Sequence, residues 1–142
     1  MKRAFITITM IIGITVMITA CKGSKPQTAK IKLPSNPTTG YEWQAEQGKE
    51  LFEINSEYVE KETDEEAVGV GGTQIFTLKP KEKGLTKITF TYSQPWEPSE
   101  DDDRLSYELK VTDSKQIKVM SVTGGVSGTI DEVPELPEME IE

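Results

Sequence analysis

The chain has 142 residues with 16 Lys plus Arg against 24 Asp plus Glu, a formal net charge of −8, one cysteine and no histidine. Without imidazole there is no Ser-His or Cys-His catalytic pair and no His metal ligand, and a lone Cys allows neither an internal disulfide nor a thiolate zinc site. The acidic balance disfavours a nucleic-acid partner, whose phosphates attract a basic face, so composition favours a small binding protein over an enzyme.

Lys2 and Arg3 open the chain, and Ala4 to Ala20 follows without a charge, the pattern of a basic n-region and an apolar h-region. Ile18-Thr19-Ala20-Cys21 comes next and looks like the lipobox of bacterial lipoprotein precursors. Residues 1–20 are therefore expected to be a lipoprotein signal peptide, with Cys21 as the lipidation site. An uncleaved N-terminal anchor and an ordinary secretory signal are the two competing readings. The expected location is extracytoplasmic, held to the membrane of the cell envelope by the lipid. Residues 21–29 read as a polar linker.

Residues 30–120 carry the globular domain. Tyr41-Glu42-Trp43 and Ile75-Phe76-Thr77-Leu78 are rich in β-formers. Ile88, Phe90 and Tyr92 alternate with polar neighbours, as do Tyr107, Leu109 and Val111. Breakers fall at Pro34 to Gly40, Gly69 to Gly72, Pro80 to Gly84 and Gln94 to Pro98. Short strands at this spacing predict an all-β sandwich or barrel. The expected core is Trp43, Phe52, Ile54, Ile75, Leu78, Ile88, Phe90, Leu109 and Val111. The charged segment from Val59 to Ala67 reads as a loop or an edge strand. Residues 121–142 hold Asp131, Glu132, Glu135, Glu138, Glu140 and Glu142 with no base, and read as an acidic disordered tail.

Three loops stand out. In Asn36-Pro37-Thr38-Thr39-Gly40, Pro37 fixes φ, Gly40 permits positive φ, and the Asn36 side chain bonds the backbone ahead of it, which makes a stiff loop with prepositioned hydroxyls. On chemistry alone a plain turn before a strand is the better reading. Gly69-Val70-Gly71-Gly72 lets backbone approach a partner closely, yet lacks the Lys and helix of a phosphate-binding loop. In Gln94-Pro95-Trp96 the Trp stands between Pro95 and Pro98 at a strand end, a place for an exposed aromatic anchor. The run Glu100 to Asp103 lacks the alternating ligands and Gly of a calcium loop and reads as a solvated tip, so no metal is expected.

In this order the loops resemble the chagasin family, inhibitors of papain-like cysteine proteases. The family pattern is Asn-Pro-Thr-Thr-Gly followed by an aromatic and a Trp, then Gly-x-Gly-Gly, then Arg-Pro-aromatic. Here Asn36 to Gly40 are followed by Tyr41 and Trp43, Gly69 to Gly72 give the second motif, and Gln94 replaces the Arg of the third. The resemblance implies an immunoglobulin-like β-sandwich with three inhibitory loops at one end. It also implies a reversible, non-covalent inhibitor that fills the protease cleft without a cofactor or catalytic residue of its own, acting as a monomer. The implied protease-binding residues are Asn36, Pro37, Thr38, Thr39, Gly40, Tyr41, Gly69, Val70, Gly71, Gly72, Gln94, Pro95 and Trp96. Thr38 would lie over the catalytic Cys-His pair, with the glycine-rich loop on one side and Trp96 on the other. An Arg at position 94 would pair with acids on the protease or brace its own loop, whereas Gln offers fewer donors and no charge. The alternative from another class is an Ig-like surface lipoprotein that binds a carbohydrate or cell-surface partner through the same loops.

Overall fold

The computed structural model describes residues 24–62, 71–125 and 138–142. Eight strands follow in chain order: β1 (Ala29–Ser35), β2 (Glu42–Gln47), β3 (Phe52–Glu60), β4 (Gly72–Pro80), β5 (Gly84–Ser93), β6 (Asp103–Val111), β7 (Ile117–Gly125) and β8 (Glu140–Ile141). They form two antiparallel four-stranded sheets, β3-β4-β1-β8 and β2-β5-β6-β7. The inward side chains of both sheets meet in one core built on Ile31, Leu33, Trp43, Phe52, Phe76, Leu78, Ile88, Phe90, Leu105, Tyr107, Leu109 and Val111. Phe90 is its aromatic centre, 4.9 Å from the Phe76 ring centroid and 6.0 Å from that of Tyr107. Burial raises the pKa of the Tyr107 hydroxyl well above the ordinary tyrosine value.

Most of the expected core is buried, with two qualifications. Ile54 is only half-buried, packed at the margin, and Ile75 is a correction. In β4 the inward positions are Phe76 and Leu78, paired with Ile31 and Ala29 on β1, so the two-residue period turns Ile75 to the other face.

The domain limits also differ from expectation. Hydrogen-bonded structure reaches into the expected linker: Thr28 and Glu142 exchange two backbone hydrogen bonds, each 2.9 Å, and β1 starts at Ala29. Pro34 and Ser35 belong to β1 and not to a breaker. Pro34 is tolerated because β8 pairs only with Ala29 and Lys30 and leaves the Pro34 stretch of β1 at a sheet edge, where a missing N–H costs nothing. Of the tail expected to be disordered from Ser121 onward, the described residues are a correction. Ser121 to Gly125 complete β7, and β8 returns to β1, with Met139 and Ile141 packed on the core and Lys32 3.1 Å from Glu140. Asp131, Glu132 and Glu135 lie outside the described residues, as does Cys21. Val59 and Glu60 end β3 as an edge strand, while Thr63 to Ala67 lie outside the described residues.

Strand register fixes where the connections go. Ser35 ends β1 opposite Gly72, which begins β4; Glu42 begins β2 opposite Ser93, which ends β5; Asp103 begins β6 opposite Tyr92. The β1–β2, β3–β4 and β5–β6 connections therefore all emerge at the same end of the sandwich. The turns at Gly48 to Leu51, Lys81 to Lys83 and Thr112 to Gln116 close the opposite end.

Candidate functional site: three loops at one end of the sandwich

The first loop is a single 3-10 turn, Pro37–Thr39, capped at both ends. Asn36 Oδ1 accepts from the Thr38 N–H at 3.3 Å and from the Thr38 hydroxyl at 2.6 Å, the arrangement of an N-cap. The Thr39 hydroxyl donates to the Asn36 carbonyl at 2.7 Å, and the Gly40 N–H donates to the Pro37 carbonyl at 3.0 Å. Gly40 has φ +79°, a left-handed conformation that closes the turn. Both threonine hydroxyls of the turn are thus bonded back to Asn36, and Pro37, Thr38 and Thr39 stand exposed at the tip.

Beneath the tip lies an aromatic base in which Tyr92, outside the three motifs, joins Tyr41 and Trp43 of the first. The Tyr92 ring stacks on Trp43 at 5.0 Å and tilts against Tyr41 at 5.4 Å, while its hydroxyl accepts the Asn36 N–H at 3.0 Å. Trp43 is buried, and its indole N–H donates to the Pro34 carbonyl at 2.8 Å. Gln74 of β4 clips the Trp43 backbone from the other sheet: its amide accepts the Trp43 N–H at 3.0 Å and donates to the Trp43 carbonyl at 2.9 Å. Tyr92 is legible as the last apolar residue of the β5 alternation. Gln74 carries no signal beyond its inward parity.

The second loop is described only at its C-terminal end, and Gly69 and Val70 lie outside the described residues. Gly71 lies against the first loop: a Cβ there would come within 3.2 Å of the Ser35 carbonyl oxygen and 3.7 Å of Asn36 Cβ. Gly72 belongs to β4 itself, and a Cβ on it would lie 2.2 Å from the Val59 carbonyl oxygen, so the close approach it permits is to β3.

The third loop opens with a tight turn in which the Glu97 N–H donates to the Gln94 carbonyl at 3.0 Å, with Pro95 and Trp96 at its two central positions. Trp96 is 69% exposed. Further along, the Ser99 N–H donates to Asp102 Oδ2 at 2.7 Å and the Asp101 N–H to Ser99 Oγ at 3.2 Å, so the acidic run caps its own turn. An open pocket lies beside the first loop, bounded by Thr39, Tyr41, Tyr92, Ser99, Asp101, Asp102 and Asp103.

The structure therefore brings Asn36 to Tyr41, Gly71 and Gln94 to Trp96 together on one end, with Gly72 beneath them. The family description "Chagasin family peptidase inhibitor I42" matches residues 24–111, well over half of the chain. The chain belongs to the chagasin family. Chagasin of Trypanosoma cruzi is 35% identical over 91 residues, which cover 59% of this chain and 81% of its own length. Amoebiasin-2 of Entamoeba histolytica is 33% identical over 84 residues, 58% of this chain and 68% of its own. The solution structure of amebosin superposes with a TM-score of 0.50 at 29% identity, covering 59% of this chain and 79% of that one. The two antiparallel sheets are the immunoglobulin-like sandwich of chagasin-type inhibitors, and the family is one of protease inhibitors and not of enzymes. The match ends at Val111, so β7 and β8 stand outside it. Within the chagasin frame, the third loop of this chain departs at Gln94, whose side chain turns inward to the first loop and donates to the Thr39 carbonyl at 3.2 Å.

Proposed function

We propose that this chain inhibits papain-like cysteine proteases reversibly, by seating the tip of the Asn36 to Tyr41 loop over the catalytic Cys-His pair. The glycine-rich loop and Trp96 flank it along the cleft. One observation carries the reading: an exposed, internally hydrogen-bonded Pro37–Thr39 tip stands at the same end of a rigid sandwich as an exposed Trp96. A loop already fixed in one shape loses little entropy on docking, and a large aromatic ring supplies desolvation on contact. Occlusion of the cleft needs no bond to the protease and no cofactor, and one monomer suffices. Titration of papain with the purified protein is expected to abolish activity at a one-to-one ratio. Trp96→Ala and Thr38→Ala are expected to weaken inhibition, Trp96→Ala by a factor of about 10 to 100. No inhibition across a panel of papain-like enzymes at micromolar concentration overturns the proposal.

We also propose that Cys21 is lipidated and tethers the inhibitor outside the cytoplasmic membrane. The support is the basic start, the uncharged run from Ala4 to Ala20, and the place of the chain's only Cys directly after Ala20. Labelling cells with a radioactive fatty acid is expected to mark the protein, and the label is expected to vanish in Cys21→Ser. A wild-type protein that stays unlabelled removes this tether.

A further inference from the structure

The replacement of Arg by Gln at position 94 leaves a side chain with no charge, and the structure shows where its amide goes. Gln94 Nε2 donates across the site to the Thr39 carbonyl, the last residue of the Pro37–Thr39 turn. From the same third loop, the Trp96 ring reaches over Gly40, the next residue along. A Cβ on Gly40 would lie 2.4 Å from Trp96 Cη2 and 2.9 Å from Cζ2, so the indole occupies the space a side chain would fill. Two contacts of different kind, one polar and one van der Waals, thus join Thr39 and Gly40 of the first loop to Gln94 and Trp96 of the third.

We propose that Gln94 and Gly40 are positioning residues that lock the first and third loops into one rigid unit. Gln94 holds the end of the first turn, and Gly40 provides the seat on which Trp96 is held in a single orientation. This rests on the inhibitory reading of the loops. Trp96 is 69% exposed, and its indole lies against Gly40 of the first loop. An unseated Trp would occupy several rotamers and lose that freedom on docking. The glycine therefore serves twice: its φ of +79° closes the turn, and its bare Cα accepts the indole. Gln94 performs its part with a single N–H, since its shape matches Glu while its donor does not.

That difference gives the test. Gln94→Glu keeps the length and removes the donor, Gln94→Arg keeps a donor at greater length, and Gly40→Ala removes the seat. Two properties are measured on the full chain: the order of the free protein, from fluorescence anisotropy and acrylamide quenching of Trp96 and from amide relaxation at Thr39 and Gly40, and inhibition of papain. Trp43 is only 2% exposed and contributes little to quenching. Gln94→Glu and Gly40→Ala are expected to loosen Trp96 in the free protein and to weaken inhibition about five- to tenfold, the cost of ordering one or two side chains on binding. Gln94→Arg is expected to restore both properties relative to Gln94→Glu, with the melting temperature unchanged between the two. Weaker inhibition by Gln94→Glu with undiminished order in the free protein would assign Gln94 to direct protease contact and overturn the lock. Loosened loops with unchanged inhibition would overturn its relevance to binding. A wild-type protein that inhibits nothing while Gln94→Glu still loosens Trp96 would overturn the inhibitory reading and leave the loop coupling standing.

Discussion

Gln74 is the residue on which the alignment of the two sheets at the loop end turns. It belongs to one sheet, yet both of its amide atoms are used on the backbone of Trp43 in the other. Since β2 is an edge strand, the Trp43 N–H and carbonyl that it meets have no ladder partner on that side. Gln74→Ala is expected to leave both unmade in a half-buried setting and to cost about 1 to 3 kcal/mol in denaturant unfolding. A loss below about 0.3 kcal/mol would show that solvent replaces the clip without penalty. At the opposite end, Lys83 and Asp113 form an exposed pair 2.5 Å apart that joins the β4–β5 and β6–β7 turns. Their hydrogen bond and mutual charge raise the Lys83 pKa and lower that of Asp113. The stabilising contribution of the carboxylate is therefore present above the ordinary Asp range and lost as pH falls through the depressed value. That of the ammonium is present below the ordinary Lys range and lost as pH rises through the elevated one. In an NMR titration the Asp113 carboxyl should show its midpoint below the ordinary Asp value, and Lys83→Ala should return it there. An unshifted wild-type midpoint would mean the pair is not formed in solution.

Among the elements, β8 departs furthest from what the sequence suggests. Two residues long and acidic, it nevertheless covers the start of β1, packs Met139 and Ile141 on the core and sets Glu140 and Glu142 beside Lys32 and Lys30. Exposed ion pairs of this kind contribute little, so most of its worth lies in the two half-buried apolar side chains, about 2 kcal/mol together. Truncation after Val133 is thus expected to lower the melting temperature while the folded fraction keeps full inhibition, because β8 lies at the end away from the loops. A truncated protein with an unchanged melting temperature would show that β8 does not hold β1. The same comparison explains which strands were legible. β2, β4, β5 and β6 announce themselves because one face is core and the other solvent along most of their length. β1 is masked by Pro34 and Ser35, and β3 by running past the core, so that beyond Ile54 its side chains are exposed. In β7 a bulge intervenes: Leu109 faces Val119 while Glu108 faces Ser121, and Met120 is the extra residue that reverses the alternation. The site follows the same division. Its tip residues are legible as turn chemistry, whereas Tyr92 and Gln74 act through contacts between distant strands that local pattern does not encode.

At the scale of the whole molecule, charge is distributed by the topology and not by the sequence order. The loop end gathers Glu42, Glu60, Glu62, Glu97, Glu100, Asp101, Asp102 and Asp103, with Lys61 and Arg104 the bases among the described residues there. The first loop, from Ser35 to Tyr41, carries no charge at all. An uncharged tip is thus framed by acidic flanks, so that in the docking proposed above the negative end leads. Acids that flank a docking surface act chiefly on the rate of encounter, which salt screens over about 10 Å at 0.1 M, while contacts buried on docking set the lifetime of a complex. Neutralising Asp101, Asp102 and Asp103 together to Asn is therefore expected to change the association rate with a given protease and to reduce its dependence on ionic strength. The dissociation rate should stay within about twofold of the wild type. The direction reports the target: association slows for a protease whose cleft is rimmed by bases and quickens for one rimmed by acids. Surface-plasmon or stopped-flow measurements across a salt series read all of these quantities. A triple variant whose association keeps the wild-type salt slope would place the acidic run outside the path of approach, and would leave Trp96 at the near side of the third loop as the part that the protease meets.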